Sequence, residues 1–445
     1  MGVPPVRRVQ FHVKNNKKYL LFLLTVIVTF NYTDRFALGL VLQDIKGDLG
    51  LSDSELGILS GIAFAFFYSI MGLPIARWAD TGNRVTIIGL ATILWSVAVA
   101  ACGVAANFVQ LLLIRVIVGV GEAGCVPPAL SLIADRFSRA ERPRAVSLYM
   151  QGVSASVVLG YFAAGWLNQL CGWRAMFVII GLPGVLLAAA ARFSLREPRR
   201  DTPATITEPS AHPSLRSVGA TLFASVTFRH LLYANSVMWF MNYGTMQWTP
   251  SFFIRSFGLG TGELGTWFAV IYGISGVLGT YWGGEWAARR ASRNERLQLK
   301  VMAGLISVSG ILMALVYLPA LAPNAYIAFG WLGLSNLAGA MTNGPIFSVI
   351  QTLVPGRMRA TAVAIIFLFA NLIGIGLGPW TAGALSDALR PWFGADSLRY
   401  SMLVLCPTVL WGAWHLWIAA RSITQEVNPH DGDPDIADQG AERPT

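Results

Sequence analysis

Residues 111–132, LLLIRVIVGVGEAGCVPPALSL, decide how the chain reads. About 20 apolar residues at 1.5 Å each cross the roughly 30 Å hydrocarbon layer of a bilayer, and this stretch is long enough. It nevertheless carries Arg115 and Glu122, seven residues apart. Seven steps of 100° return to within about 20° of the start, so both charges share one helix face. Each charge costs roughly 2.5–3.5 kcal/mol near the bilayer centre, so that face is expected to meet a partner or a water-filled cavity, not lipid.

The rest of the chain agrees with a membrane setting. It is 54% hydrophobic and 13% charged over 445 residues, with a mean hydropathy of +0.55, outside soluble globular usage. Apolar runs of spanning length number about twelve. Six fall near 19–42, 55–75, 85–106, 109–133, 145–167 and 174–193, and six near 229–253, 264–287, 299–318, 325–353, 361–383 and 399–420. The chain thus divides into a tail (1–18), a six-helix half (19–193), a Pro-rich linker (194–227), a second six-helix half (228–420) and an acidic tail (421–445) expected to be disordered. Lys and Arg gather in alternate loops, roughly four-fifths on one side, which sets both termini in the cytoplasm. The run after the basic N-terminus has no small-residue cleavage site and reads as a first helix. The formal charge of +10 belongs to this topology and does not call for nucleic acid. Cys102, Cys125, Cys171 and Cys406 show no CxxC spacing and read as small core residues, so no metal and no cofactor is expected.

Asp34 and Arg35, in TFNYTDRFALGL, join Arg115 and Glu122 as ionisable residues deep in a span. The rise per residue places Asp34 about 5 Å and Arg115 about 8 Å outside the midplane, with Glu122 close to it. Asp34 is expected to pair with Arg115, and Arg35 with Glu122 as a second, looser pair. A static pair that fixes helix packing is one reading. The other is proton coupling, because moving an Arg on or off a buried carboxylate decides whether it holds a proton. Asp34 and Glu122 are then the proton-binding groups, and Arg35 and Arg115 the counter-ions or substrate contacts. Asn31 is a further candidate cavity residue. Asn235 with Asn242, and Asn336 with Asn343, are each seven apart and so share helix faces, which line a cavity or bond neighbouring helices; Tyr243 adds aromatic surface there. His415 reads as structural. Pro127 and Pro128 should bend the helix just past Glu122. No HExxH, triad or Walker pattern is present, so neither an enzyme nor an ATP-driven pump is expected.

The loop Ala76-Arg-Trp-Ala-Asp80-Thr-Gly82-Asn83-Arg84 resembles the G-x-x-x-D-R-x-G-R signature of the major facilitator superfamily, with Ala76 for the first Gly and the second displaced. Asp80 is read as lying near a helix N-terminus. GWRAMF at 172–177 is also similar to that superfamily. RVIVGVGEAG (115–124), FNYTDRF (30–36) and Val354-Pro-Gly-Arg357-Met-Arg359-Ala-Thr361-Ala362 resemble its Spinster branch. The resemblance implies the twelve-helix fold, a cytoplasmic charge network through Asp80 and Arg84, and proton coupling through Asp34 and Glu122 partnered by Arg35 and Arg115. It also implies amphiphilic cargo such as lysophospholipids or sphingoid phosphates. The expected protein is a proton-coupled secondary transporter, monomeric, in a bacterial inner membrane among lipids, moving an anionic or zwitterionic amphiphile between helices 1, 4, 7 and 10. A carrier of a small organic anion or sugar acid and a non-transporting sensor are the alternatives.

Overall fold

The computed structural model describes residues 16–138, 140–197, 215–291, 294–353 and 359–426. Within them the secondary structure is helical. We number the long segments α1 (Lys17–Leu49), α2 (Asp53–Thr81), α3 (Arg84–Cys102), α4 (Phe108–Arg136), α5 (142–171), α6 (173–194), α7 (Val226–Phe257), α8 (Thr261–Arg290), α9 (Glu295–Tyr317), α10 (325–353), α11 (359–393) and α12 (397–426). A short helix, Leu215–Ala224, precedes α7.

The boundaries follow from local chemistry. Side chains of Asn16, Asn83, Asn107, Ser225, Asn294 and Asn324 cap helix starts by accepting backbone N–H bonds that have no intrahelical partner. Ser52 and Glu55 form a reciprocal capping box at α2. Gly50 and Gly258 end α1 and α7 in the left-handed region, with φ of 65° and 68°. Gly172, at φ 79°, turns α5 into α6. Cys171 beside it is exposed, whereas Cys102, Cys125 and Cys406 are buried, so the reading of four core cysteines holds for three; Cys171 lies at a helix junction and not in a span.

Eight stretches among the described residues are long and apolar enough to cross a membrane. Their outer faces suit hydrocarbon: on α3, Leu90, Ile93, Leu94 and Val97 are exposed while Ile87, Ile88, Trp95 and Val99 are buried. Such a contiguous apolar stripe would be a liability in water and is the expected surface in lipid.

The described residues form two compact units. One gathers 16–50, 63–197 and 261–266; the other gathers 51–62, 215–260 and 267–426. The division does not follow the midpoint of the sequence strictly, because the first turns of α2 group with α11 and the first turns of α8 with α5. In the second unit a π-helical turn at Ile58–Ile62 meets another at Ala370–Leu377, where a Cβ on Gly61 would stand 2.5 Å from the Gly376 carbonyl oxygen. In the first unit the glycines of α4 do similar service: a Cβ on Gly119 would stand 2.7 Å from the Phe64 carbonyl oxygen, and one on Gly121 2.7 Å from the Trp95 nitrogen. These close approaches seat α4 against α2 and α3.

Candidate functional site: a buried charge tetrad in the first unit

α4 is broken just past Glu122: one helix runs Phe108–Glu122 and the next Val126–Arg136, with the prolines in its first turn. The break matches the bend anticipated from Pro127 and Pro128. It leaves Arg115 and Glu122 on the inner face of α4, toward Asp34 and Arg35 of α1.

All four side chains are buried, with exposures of 1% for Asp34, 5% for Arg35, 1% for Arg115 and 0% for Glu122. Arg115 Nη1 donates to Asp34 Oδ2 at 2.7 Å. Arg35 donates to Glu122 Oε2 through Nε at 2.8 Å and Nη2 at 2.5 Å. The second pair is therefore not the looser one. Arg35 is held by two donors because its guanidinium lies among the rings of Tyr32, Phe64 and Tyr68, at 4.1, 4.6 and 4.8 Å from their centroids, which fix its direction. Depth along two straight helices could not reveal this aromatic enclosure.

The satisfaction of the two acids is incomplete. Asp34 Oδ1 and Glu122 Oε1 are buried with no hydrogen-bond partner, as are Arg115 Nε and Asn31 Oδ1. Two of these atoms are carboxylate oxygens, the atoms on which a proton would sit. Asn31, fully buried, donates from Nδ2 to Cys125 Sγ at 3.5 Å, so it stands beside the tetrad without pairing with it.

Arg84 forms a second cluster. It is 0% exposed and binds Glu197 through Nε at 3.1 Å, Nη2 at 2.5 Å and its backbone N–H at 2.6 Å, Asp135 at 2.7 Å and Ser131 Oγ at 2.8 Å. Glu197 and Asp135 were not singled out in the sequence; an acid in the Arg-rich stretch LREPRR was the available signal. Asp80 is exposed and lies in the last turn of α2, not at a helix N-terminus; Asn83 occupies the capping position of α3 instead, accepting from Thr86 N.

In the second unit the Asn faces separate. Asn235 is 3% exposed with Nδ2 unpartnered, while Asn242, on the same helix, is exposed. Asn336 donates to Ser275 Oγ at 2.5 Å, a plain interhelical bond. Asn343 is exposed and begins a new helical segment after a break at Met341–Thr342, so the shared face expected for Asn336 and Asn343 does not continue through α10. Tyr243 stacks on Trp239 at 5.4 Å, and Phe367 meets Trp239 edge-on at 6.1 Å. Trp248 is fully buried and donates to the Pro379 carbonyl at 2.8 Å. His415, the single histidine of its helix, meets another across the unit: its Nδ1 stands 2.8 Å from that of His230. Residues 354–358 of the VPGRMRATA stretch, and the side chains of Arg359 and Ala360, lie outside the described residues.

The sequence model of the Major Facilitator Superfamily matches residues 24–428. The chain belongs to that superfamily. Among solved structures it is similar to a bacterial homolog of the human lysosomal transporter Spinster in an inward-facing, unoccupied conformation. That match has a TM-score of 0.81 and 29% identity, covering 93% of this chain and 99% of that one. Curated relatives include an MFS-type efflux pump of Mycolicibacterium smegmatis, 29% identical over 91% of this chain and 92% of the relative. A probable L-galactonate transporter of Escherichia coli is 26% identical over 95% and 94%, and protein spinster homolog 1 of Xenopus tropicalis 27% over 86% and 77%. The chain is thus a Spinster-like facilitator-fold membrane transporter.

Proposed function

We propose that this facilitator-fold protein is a proton-coupled secondary transporter that works by alternating access and moves an anionic or zwitterionic amphiphile across a bacterial inner membrane. The observation that carries the reading is the tetrad, with two Arg and two acids buried together and one unpartnered oxygen on each acid. A proton on Glu122 cancels the charge that holds Arg35, since Oε2 accepts both guanidinium bonds. Arg35 then needs another anion, and a carboxylate or phosphate head group answers that need. Loss of the proton restores Glu122 as its partner. Asp34 and Arg115 repeat the arrangement with one bond. Protonation and substrate binding are thereby alternatives at one guanidinium, the differential interaction that a coupled carrier requires.

An amphiphile is favoured by the apolar and aromatic character of the second unit, where Trp239, Tyr243 and Phe367 cluster; an alkyl chain gains from such surface and a polyol does not. The second reading, a small organic anion or sugar acid, is favoured by the relative named as an L-galactonate transporter. A thermal-stability screen separates them. Lysophospholipids and sphingoid phosphates are compared with sugar acids on the native protein and on Arg35→Ala, because a ligand of the native state raises the midpoint by mass action. A rise with an amphiphile that vanishes in Arg35→Ala supports the leading reading; a rise with sugar acids alone replaces it with the second.

A further inference from the structure

We infer that His230 and His415 form a proton-binding site in the second unit, separate from the tetrad of the first and independent of the transport reading. His230 lies in the first turns of α7 and His415 in α12. Their Nδ1 atoms are 2.8 Å apart, with ring centroids at 5.0 Å. A contact between two identical nitrogens constrains the protons on them. One Nδ1 must carry hydrogen and the other must not. The neutral pair satisfies this, and so does the pair with one added proton, in which the contact becomes charge-assisted. The doubly protonated pair does not, because two N–H groups then face each other. The site therefore holds one proton with the contact intact, and a second proton separates α7 from α12 at this level.

The surroundings assign the proton to His415. It is 6% exposed, and its Nε2 is buried without a partner. The rings of Tyr233, Trp411 and Trp414 surround it, with centroids 5.3, 5.6 and 4.9 Å from its own, an enclosure whose ring faces favour a cation. Protonated His415 would donate Nδ1–H to His230 and turn its Nε2–H among the aromatic rings. Arg229 is a cation close to His230 and opposes a proton there, and a proton on one ring opposes a second on the other. α9, packed along α12, carries Glu295, Arg296 and Lys300 in its first turns and Tyr317 at its last; α11, packed along α7, carries Asp387 and Arg390 toward its far end. Farther along α12, Arg421 stacks on Trp417 at 3.5 Å, and Glu426 accepts from the N–H groups of Val226 and Thr227.

The test uses the full-length protein with nitrogen-15-labelled histidine, followed by NMR between pH 8 and pH 5, the range in which histidine titrates. The two signals are assigned among the five histidines of the chain with His230→Asn and His415→Asn, whose side-chain amides reach the place of Nδ1 without titrating. The expected result is one shared protonation of the two rings with a scalar coupling across Nδ1–H···Nδ1, and an altered titration of each remaining ring in the single variants. Trp411→Leu and Trp414→Leu, at positions 56% and 51% exposed, should each weaken proton binding by about five-fold without unfolding the protein. Independent titrations of the two rings, unchanged when the other is replaced, would overturn the pairing; proton affinity unchanged in both Trp variants would overturn the assignment to His415.

Discussion

Replacing Arg35 with Met removes one partner from a pair whose other member, Glu122, is 0% exposed. The guanidinium supplies both donors to Glu122 Oε2, and Oε1 already has no partner. Breaking a buried pair from one side costs about 3–5 kcal/mol, whereas replacing both members by apolar side chains is close to neutral. Glu122→Gln should cost less than Arg35→Met. Its amide oxygen still accepts, and Arg35 keeps the rings of Tyr32, Phe64 and Tyr68, each able to stabilise a desolvated cation by about 0.5–2 kcal/mol. At about 2–4 °C per kcal/mol for a unit of 150–250 residues, Arg35→Met should lower the melting midpoint by about 6–20 °C in fixed detergent at neutral pH. Glu122→Gln should fall between it and the native protein, and Arg35→Met/Glu122→Met should recover most of the loss. A double variant that loses the sum of its singles, or an Arg35→Met midpoint equal to the native one, would refute the reasoning.

Three other outcomes follow from the same geometry. Arg84→Ala should lower the midpoint by an amount corresponding to about 3 kcal/mol, because Glu197, 6% exposed, loses the two side-chain donors and keeps only the backbone N–H; Arg84→Lys should fail to rescue it, since an ammonium cannot reproduce the forked contacts to Glu197 and Asp135. Gly121→Ala should cost about 1–3 kcal/mol through the 2.7 Å approach to Trp95 N, while Gly89→Ala, with nothing within 4 Å, should gain about 0.5–1 kcal/mol of helix propensity, both read from melting midpoints. Glu141, between α4 and α5, has its carboxyl pulled down to about 2 by the Ser138 backbone N–H and then by Lys17; its contribution is complete above the ordinary carboxylate range and lost as pH falls through about 2. Lys17→Ala, at an exposed pair, should leave the neutral-pH midpoint unchanged, and side-chain carboxyl NMR of Glu141 reports the titration.

What the sequence could announce and what it could not divides by physical range. Helical periodicity put Arg115 and Glu122 on one face, and their distance from any interface made burial with partners the economical expectation. Both ion pairs stand as that logic requires. The relative strength of the pairs depended on Tyr32, Phe64 and Tyr68 closing around Arg35, a contact among residues on α1 and α2 that no local pattern encodes. Breaks in helices are local. The one past Glu122 is written in Pro127 and Pro128, and the one at Met341–Thr342 in Asn343-Gly344-Pro345; the seven-residue spacing of Asn336 and Asn343 took no account of that breaker, and the break undid their shared face. Residues that act across elements, such as Glu197 under Arg84 and His230 against His415, are separated by 113 and 185 positions, and single-chain spacing carries no information at that range.

If the tetrad couples protons to solute, proton movement across the membrane reports it. Proteoliposomes loaded with a pH-sensitive dye are given an inward gradient of whichever ligand raised the melting midpoint, with no pH gradient imposed. Coupling through the tetrad gives a lumenal pH change with the native protein that is abolished in Asp34→Asn and in Glu122→Gln while ligand binding to those variants persists. Solute uptake with no pH change in the native protein, or a native-sized pH change in both variants, would contradict it.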